Sequence, residues 1–430
     1  MSQLRADLLI PSTNRYYNVQ KLLDGAGYSK ALGRVLVVQP DHFEQYDSQG
    51  ILISSEPHSL GSRAELRNKL IHHAVSQICI CIDSDILVYP GFIEAHVSAH
   101  QDFPGALVAG PVYARKLNGQ AYTRFAEILS SVDPAGLKDE LSDHPVFCDP
   151  RSDLGVFQTD AHCYSIGHID TAWSHMWTWN ISFPRDAALA YGGFDAGFSG
   201  WGLEDVEFAY RFFLHGADLV VADDAWGIHQ YHDRDLVQNQ DDYFRNLEYF
   251  FSKWTNHDIE FLRLGITGAQ GASLLAAGLV NYDQQLDIAV IQEVVAADDP
   301  HFGRIYFYPS DVSCAPQLAS AGISHAFLPH IHTCKQPYEK NGVTFWPLVG
   351  MSTPFADEHF DEVVVLQNKL LHFNTLILRS LLVELSRIAK RVLLYSSGLL
   401  GGMEKNTRIL GETERTCGNK LRILECREVR

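Results

Sequence analysis

Strand-like and helix-like segments alternate over the first hundred residues of the chain. Apolar runs, each ending in a polar or proline-containing turn, occur at 6–11, 34–38, 51–53 and 78–82. Between the last two runs, apolar residues recur at helical spacing after Ser62. This alternation predicts an α/β fold built on a sheet of largely parallel strands.

The run Ile78–Ile82 is apolar at every position. A strand in the middle of a parallel sheet has this composition because helices cover both of its faces. Asp83 and Asp85 follow the run directly. Open α/β sheets bind their ligands beyond the carboxyl ends of the strands, so the sequence predicts a binding site at this edge.

The length of 430 residues favours two domains over one. The pattern predicts a first domain over 1–258, a Gly- and Ala-rich linker over 259–284 and a smaller α/β domain over 285–430. In the second domain, strands are predicted at Ile288–Ile291, Arg304–Tyr308, Glu362–Leu366, Arg391–Tyr395 and Leu421–Glu425. An amphipathic helix is predicted over Leu376–Ile388.

Composition narrows the possible partners and compartments. A net charge of −18 repels a phosphate backbone, which argues against nucleic acid and anionic membranes as partners. Cys79 and Cys81 lie within an apolar strand, as reduced buried thiols do. There is no signal-peptide pattern, and Gly265–Val280 is shorter than the roughly 20 apolar residues of a membrane helix. We therefore expect a cytoplasmic protein without a transmembrane segment.

The stretch from Asn180 to His232 carries the densest set of candidate functional groups. It contains Gly-Gly-Phe-Asp and Gly-Trp-Gly turns, followed by apolar residues at helical spacing. Glu204 and Asp205 fall in the first turn of that helix, where the peptide dipoles favour anions. A rigid, ionised carboxylate there suits a general base, although a pair that only complements the dipole has the same pattern.

Two further pairs could hold a divalent cation. Asp83 and Asp85 are one residue apart, so on an extended strand both carboxylates would point the same way. Oxygen ligands of this kind suit Mg²⁺ or Mn²⁺ carrying a substrate phosphate, and imidazoles at His229 and His232 would favour Mn²⁺. The alternatives are a chance Asp-x-Asp and two histidines that only pack.

Arginines and tryptophans complete the candidate site. Arg15 and Arg63 lie at strand-to-helix connections, where a guanidinium can bind a diphosphate or remain a solvated surface charge. The tryptophans either belong to the core or form a platform for the C–H faces of a sugar; they are Trp173, Trp177, Trp179 and Trp201.

These segments, in this order, resemble the inverting GT-A glycosyltransferases of family 2, and in particular the galactosyltransferase-like carboxyl half shared with bacterial chondroitin-type polymerases. The matching text is I-P-S-T-N-R, G-S-R-A-E-L-R-N, C-I-D-S-D-I-L-V-Y-P-G-F, G-G-F-D-A-G-F-S-G-W-G-L-E-D and H-Q-Y-H-D-R-D, over roughly residues 6–255. The resemblance implies a Rossmann-like nucleotide-diphospho-sugar transferase domain. Retaining relatives usually have Glu-Asn where this chain has Glu204-Asp205, which favours inversion.

The resemblance also implies a role for each matching residue. Asp205 would be the catalytic base that deprotonates the acceptor hydroxyl. The metal, Mn²⁺ or Mg²⁺, would be bound by Asp85, His229 and His232. The nucleotide-sugar would be bound by Pro11, Ser12, Asn14, Arg15, Arg63, Asn68, Asp83 and Ser84, and the substrate sugars by Trp179, Trp201, Gly202 and Glu204. The chain departs from the family at Val-Val-Gln-Pro-Asp, which lacks the usual acidic residue directly after the second strand.

Residues 345–397 resemble the latter half of a class I methyltransferase. The expected glycine-rich loop after a first strand is missing, because Ile291-Gln292-Glu293-Val294 follows the strand predicted at Ile288–Ile291. We therefore expect a degenerate, Rossmann-like module for docking or acceptor presentation.

Together these expectations predict a metal-dependent inverting hexosyltransferase of polysaccharide biosynthesis. It would move a sugar from a nucleotide-sugar, most simply a UDP-sugar, to a hydroxyl of a glycan or small-molecule acceptor. Two alternatives remain open: a non-catalytic carbohydrate-binding protein on the same fold, and a bifunctional glycosyltransferase–methyltransferase.

Overall fold

The chain folds into two compact units, Met1–Tyr249 and Phe250–Arg430, in a computed structural model. The structure describes residues 4–11, 22, 29–38, 52–53, 62–88, 91–113, 164–165, 172–229, 235–265, 303–307, 309, 312–329, 336–366, 375–396, 411–417 and 421–427. Residues 257–263 are helical, although the sequence assigned the linker from 259 onward. The rest of the predicted linker lies almost entirely outside the described residues, so the 1–258, 259–284 and 285–430 boundaries stay a prediction.

The first unit contains an eight-stranded sheet of order β3-β2-β1-β4-β9-β6-β10-β8. Its strands are β1 Ala6–Pro11, β2 Leu32–Val38, β3 Leu52–Ile53, β4 Ile78–Ile82, β6 Leu107–Ala109, β8 Tyr164–Ser165, β9 Asn180–Pro184 and β10 Leu219–Val221. Strands β3, β2, β1 and β4 run parallel, whereas β9 is antiparallel to both of its neighbours, β4 and β6. The predicted parallel sheet is therefore mixed, with an antiparallel strand in its middle.

A small second sheet joins three segments that lie far apart in the sequence. It has the order β5-β11-β7, with β5 Ile86–Val88, β7 Val112–Tyr113 and β11 Gly227–His229. Strand β11 pairs antiparallel to β5 in a register that sets His229 opposite Ile86. This pairing brings the end of β11 next to the turn that follows β4.

Five helices lie within the described residues of the first unit or begin there. They are α1 Arg63–His73, α2 Phe92–Asp102, α3 Arg185–Ala190, α4 Glu204–Leu214 and α5 Leu236–Lys253, whose last turn falls in the second unit. Helix α1 begins where the sequence predicts, because the Ser62 hydroxyl accepts from the Glu65 amide and the Glu65 carboxylate accepts from the Ser62 amide. The side chains of Ile78–Ile82 are buried along the whole strand, as the apolar run predicts.

The second unit holds an eight-stranded sheet of order β14-β15-β13-β12-β16-β17-β19-β18. Its strands are β12 Arg304–Phe307, β13 Ile323–Phe327, β14 Tyr338–Lys340, β15 Val343–Trp346, β16 Phe360–Leu366, β17 Ala389–Ser396, β18 Gly411–Cys417 and β19 Leu421–Arg427. The helices that its described residues contain are α6 His257–Arg263, α7 Ala315–Ser320 and α8 Thr375–Ile388. Five neighbouring strands, from β15 to β17, are parallel, and β18 and β19 add an antiparallel hairpin at one edge.

Several sequence predictions can be compared with these elements. Strands overlap the predicted segments at 6–11, 34–38, 362–366 and 391–395. The predicted strand at 288–291 lies outside the described residues. Cys79 and Cys81 are buried free thiols, and burial raises the pKa of Cys81 to about 12, which keeps it protonated. None of the helices in the described ranges combines the length and apolar composition needed to cross a membrane.

Candidate active site

The turn after β4 connects the two sheets of the first unit. The Asp83 amide donates to the Trp179 carbonyl over 3.2 Å, and the Ile86 amide donates to the Asp83 carbonyl over 3.1 Å. Because residues 83–85 form a turn and not an extended strand, the two carboxylates contact different partners. Asp83 Oδ1 lies 3.5 Å from Arg67 Nη2, whereas Asp85 Oδ1 lies 3.8 Å from His229 Nε2. The expectation that both carboxylates point the same way from an extended strand is therefore wrong, whereas the separate roles predicted for Asp83 and Asp85 stay predictions.

Asp85 and His229 form the candidate metal centre. Both side chains are largely buried, with 6% and 11% of their surface exposed. A carboxylate and an imidazole in contact are a donor set that suits Mn²⁺. His232, the third predicted ligand, lies outside the described residues, and within them no group of three or more metal-binding side chains is found. The residues present therefore fit part of a metal site.

Arg67, on α1, links the Asp83 turn to the start of α4. Arg67 Nη1 donates to Glu204 Oε1 over 2.7 Å, and the guanidinium lies over the Phe194 ring. Burial lowers the pKa of Arg67, but the negative charges of Glu204 and Asp83 raise it by more than burial lowers it. The net shift is therefore upward, and the guanidinium stays charged. A buried cation thus holds a carboxylate from each side of the site.

Asp205 is held by three hydrogen bonds at the start of α4. Its Oδ2 accepts from the Thr178 amide over 3.1 Å and from the Thr178 hydroxyl over 3.3 Å, and its Oδ1 accepts from the Val206 amide over 2.9 Å. Burial, and then the neighbouring Glu204, raise the pKa of Asp205 to about 6, while Arg67 and the backbone bonds oppose the rise. The carboxylate is therefore mostly ionised at pH 7, with a pKa close to neutral that suits a general base.

The chain enters α4 through backbone conformations that few residues adopt. Gly200, Gly202 and Leu203 all have positive φ, and a φ of 73° is uncommon for a leucine. Two side chains of α5 hold this turn. Asp242 Oδ2 accepts from the Trp201 amide over 2.9 Å, and Asn246 Nδ2 donates to the Gly202 carbonyl over 2.8 Å. Helix α5 therefore fixes the loop that precedes Glu204 and Asp205.

The Gly-Gly-Phe-Asp loop is held from the opposite side by α1. Asn68 Nδ2 donates to the Phe194 carbonyl and Asn68 Oδ1 accepts from the Phe194 amide, each over 2.7 Å. Arg211 donates to the carbonyls of Tyr191 and Gly193. The Asn68 amide group thus has protein partners on both of its atoms, and its predicted contact with the nucleotide stays a prediction.

The tryptophans divide between the core and the site. Trp173 is fully buried and belongs to the core. Trp177 and Trp179 are half-buried with ring centroids 5.1 Å apart, and the Trp179 ring lies 6.4 Å from the His229 ring. Trp201 is also half-buried and lies 6.4 Å from the Tyr243 ring of α5. Three of the four rings therefore keep accessible surface in the loops around the candidate site.

The remaining predicted residues lie near the carboxyl ends of the strands or outside the described residues. Pro11 ends β1, Ser84 is buried in the turn, and Arg63 is exposed at the start of α1, where its charge lowers the pKa of Asp83. Ser12, Asn14 and Arg15 lie outside the described residues. Burial, followed by Asp85 and Glu204, shifts the pKa of Asp83 upward against the opposing effects of Arg67 and Arg63.

Sequence reasoning gave no role to Arg67, Thr178 or Asn246. Arg67 stands in the G-S-R-A-E-L-R-N match and follows Arg63 by one helical turn, which is the signal that could have identified it. Thr178 and Asn246 act through contacts with residues far along the chain, which no local pattern reveals.

Comparison with known proteins identifies the chemistry of this chain. The family model described as the N-terminal domain of galactosyltransferase matches residues 164–233, which include the Gly-Gly-Phe-Asp loop, α4 and β11. Validoxylamine A glucosyltransferase of Streptomyces hygroscopicus subsp. limoneus is 25% identical over 326 residues, which cover 71% of this chain and 69% of that protein. The chain is a glycosyltransferase. Uncharacterized glycosyltransferase YfnE of Bacillus subtilis (strain 168) is 24% identical over 209 residues, or 44% of this chain and 53% of that protein.

Solved structures of glycosyltransferases resemble the chain more remotely. S. aureus TarS has a TM-score of 0.43 at 11% identity, covering 68% of this glycosyltransferase and 79% of that chain. The mannosyltransferase PcManGT from Pyrobaculum calidifontis, in complex with GDP-Man and Mn²⁺, has a TM-score of 0.39 at 15% identity, covering 70% and 82%. GalNAc-T7 with UDP, GalNAc and Mn²⁺ has a TM-score of 0.41 at 11% identity, covering 59% and 48%.

Proposed function

We propose that this glycosyltransferase is metal-dependent and inverting, and that it moves a hexose from a nucleotide-sugar, in the first instance a UDP-sugar, to an acceptor hydroxyl. The observation that carries the proposal is Asp205. It is a carboxylate fixed by Thr178 and Val206, with a pKa raised to about 6, on the same helix turn as the Arg67-bound Glu204. A binding protein has no need for such a group, which disfavours the non-catalytic alternative.

In the proposed reaction, Asp205 takes the proton from the acceptor hydroxyl. The acceptor oxygen forms a bond to the anomeric carbon while the bond from that carbon to the diphosphate oxygen breaks, so the anomeric configuration inverts. Asp205 holds the proton, and the nucleoside diphosphate leaves with the electron pair. General-base assistance of this kind typically contributes about 10²–10⁴-fold to the rate.

Asp85 and His229, together with His232, are the residues that would hold Mn²⁺, which when bound would neutralise charge on the departing diphosphate. Arg63 is exposed at the same edge and is available to a phosphate. Asp83 is held by Arg67 on one side and by the Trp179 carbonyl at its amide. We propose that this fixed turn binds the nucleotide-sugar.

The relatives narrow the choice of substrate to be tested first. Validoxylamine A glucosyltransferase is named for glucosyl transfer, so UDP-glucose is the first donor to examine. Two of the similar solved structures hold Mn²⁺ with UDP and GalNAc or with GDP-Man, so UDP-galactose, UDP-GalNAc and GDP-mannose complete the panel. Half-buried Trp177, Trp179 and Trp201 would present ring faces to the sugars.

A donor screen tests this proposal directly. Thermal shift with each nucleotide-sugar, with and without Mn²⁺, should show stabilisation that depends on the metal for one donor. The same donor should be hydrolysed slowly when Mn²⁺ is added. Binding without any hydrolysis or transfer would favour the carbohydrate-binding alternative, and the absence of binding to all donors would refute the proposal.

For the second unit we propose a degenerate methyltransferase-like module that presents the acceptor or docks a partner. The five parallel strands with a terminal antiparallel hairpin support this resemblance. The central strand β12 is followed in sequence by Tyr308-Pro309-Ser310-Asp311, without the glycines that a cofactor needs for close approach. After β15, the amides of Val349, Met351 and Ser352 already donate to Glu260. Calorimetric binding of S-adenosylmethionine would contradict this proposal and favour a bifunctional enzyme.

A further inference from the structure

A buried row of polar side chains lies between α2 and the middle of the first sheet. It consists of His96 and His100 on α2 and of Asn180 and Ser182 on β9, none of them more than 3% exposed. Strand β9 alternates these polar residues with Ile181 and Phe183, so its polar side chains face the helix and not water. The large majority of buried polar groups in folded proteins have a hydrogen-bond partner, so the partners of this row can be traced atom by atom.

The hydrogen bonds of this row form a single chain that ends at Ala225. His100 Nε2 lies 2.9 Å from Ser182 Oγ, which lies 2.8 Å from His96 Nδ1. His96 Nε2 lies 2.9 Å from Asn180 Oδ1, and Asn180 Nδ2 donates to the Ala225 carbonyl over 2.7 Å. Burial lowers the pKa of His96 to about 4 and that of His100 to about 3, so both imidazoles are neutral at pH 7.

The Ala225 carbonyl determines which atom of each hydrogen-bonded pair in this row carries the proton. A carbonyl only accepts, so the Asn180 amide nitrogen must face it and the Asn180 oxygen must face His96. His96 then carries its proton on Nε2, which leaves Nδ1 as an acceptor for the Ser182 hydroxyl. With that proton used, Ser182 Oγ can only accept, so His100 also carries its proton on Nε2. His100 Nδ1 is left as a buried lone pair for which the described residues supply no donor.

Asn180 connects the segment that holds Asp205 with the segment that leads to His229. The two residues before it are Thr178, which holds Asp205, and Trp179, whose carbonyl accepts from the Asp83 amide. Ala225, its partner, precedes β11, which ends at His229. Gly110 lies against both groups, and a Cβ there would overlap the Ala225 oxygen and the Asn180 amide.

We propose that Asn180 is a positioning residue. The hydrogen-bond chain from His100 to Ala225 sets the spacing between strand β9, which follows the residue that holds Asp205, and strand β11, which ends at His229. The inference rests on the proposed function, because it assigns Asp205 and His229 to one active site. Asn180 contacts no reacting atom in this scheme. It acts by joining the turn before β11 to the strand that follows Thr178 and Trp179.

Asn180→Asp is the sharpest test because it changes one donor into an acceptor at constant size. The ionised carboxylate can still accept from His96, but it cannot donate to the Ala225 carbonyl. Because a buried carboxyl group that is protonated could donate there, the variant is measured at a pH high enough to ionise it. We expect kcat/KM to fall about 10²-fold, as displacement of a catalytic group by about 1 Å can cause. We also expect the dissociation constant of Mn²⁺ alone, measured by electron paramagnetic resonance, to rise by about tenfold, as loss of an outer-shell contact does.

Asp7→Asn supplies a matched control for lost stability. Asp7 is a fully buried hub of the same sheet, whose oxygens accept from the amides of Arg34, Val75 and Ser76 and from the Ser76 hydroxyl. Its variant should lower the melting temperature while kcat/KM and Mn²⁺ affinity per folded molecule stay close to those of the unchanged protein. If Asn180→Asp alters these two quantities no more than Asp7→Asn does, the positioning role is refuted.

The proton positions in this hydrogen-bond chain can be measured by NMR without reference to activity or metal binding. ¹⁵N spectra of labelled histidine, assigned with His96→Gln and His100→Gln, should show both rings as neutral Nε2–H tautomers from pH 6 to 8. An Nδ1–H tautomer or a cation at either ring would overturn the inference. If Asn180→Asp does not fold, Ser182→Ala replaces it. This variant should show a smaller loss in the same two quantities, and His100, whose Nε2 contacts Ser182 Oγ, should lose its single tautomer while His96 keeps its own. An inactive wild-type protein with every donor would refute the proposed function, while Mn²⁺ affinity would still decide the role of Asn180.

Discussion

Arg67 Nη1 lies 2.7 Å from Glu204 Oε1, although 137 residues separate the two in the sequence. Both side chains are at most 5% exposed, and the same guanidinium reaches Asp83 Oδ1 at 3.5 Å. A buried cation between two carboxylates is costly to remove, because the partner charges then remain without compensation.

Arg67→Gln should therefore destabilise the first unit strongly. We expect the free energy of unfolding to fall by about 3–5 kcal/mol, the usual cost of breaking a buried ion pair from one side. Lys69→Gln removes the same charge from an exposed position on the same helix, so it should leave the free energy of unfolding nearly unchanged. Chemical denaturation of both variants checks this, and equal midpoints would contradict the buried-pair interpretation.

Asp205→Asn should remove transfer while preserving donor binding. The variant keeps the size of the side chain but cannot take a proton, so kcat should fall by about 10²–10⁴-fold. Initial rates and donor titrations give the two quantities separately. Asp186→Asn, at a side chain that is 97% exposed, is the matched control and should retain full activity. Undiminished turnover by the Asp205 variant would assign the base elsewhere.

The pH dependence of kcat/KM should report the same carboxylate. A general base works only when deprotonated, and the pKa of Asp205 is raised to about 6. We therefore expect kcat/KM to be flat above about pH 6 and to fall about tenfold per unit below it. A profile that stays flat down to pH 4.5 (about the ordinary range of a carboxyl group) would contradict this assignment.

Chelation should abolish transfer if Asp85 and His229 bind the catalytic cation. We expect activity to disappear in EDTA and to return with Mn²⁺ more fully than with Mg²⁺, because the imidazole favours the softer ion. Asp85→Asn should raise the Mn²⁺ concentration needed for half-maximal activity. Asp102→Asn, at an exposed position, should not change that concentration. Full activity after exhaustive chelation would exclude a metal-dependent mechanism.

Gly200 and Gly216 offer a comparison at equal backbone strain. Both have a φ of 76°, so alanine at either position costs about 1–2 kcal/mol for the left-handed conformation. A Cβ at Gly216 meets nothing within 4 Å, whereas one at Gly200 collides with the Asp242 carboxylate that holds Trp201. Gly200→Ala should therefore lower both thermal stability and kcat/KM, and Gly216→Ala only stability. Equal kcat/KM values for the two variants would show that the Gly200 turn does not position the site.

Some features of the site could be predicted because a local pattern specifies them. The Ile-Cys-Ile-Cys-Ile run identifies β4, and the Asp-Ser-Asp that follows it therefore lies at a sheet edge. The apolar spacing after Leu203 identifies α4 and places Asp205 in its first turn. Each of these features depends on residues within about one helical turn of each other, which is the range over which sequence patterns act.

Other features could not be predicted because their partners are distant. Strand β9 was not predicted as a strand between β4 and β6, since its buried Asn180 and Ser182 have the polarity of a surface. The two aspartates of the Asp-Ser-Asp turn have different partners because Arg67 and His229 approach from separate elements. Neither contact produces a periodic pattern in the sequence from which it could be predicted.

Local patterns were enough to predict the α/β class, strands β1, β2 and β4, helices α1 and α4 and the chemical types of the candidate residues, because backbone propensity and hydrophobic periodicity are local. The folded arrangement alone shows which charges face each other, which tryptophans keep accessible surface and which way the protons of the Asn180 hydrogen-bond chain point. Burial and hydrogen-bond partnership depend on a position in space, which neighbouring residues in the sequence do not encode. A residue such as Arg67 has the same sequence pattern whether it ends in water or between two carboxylates.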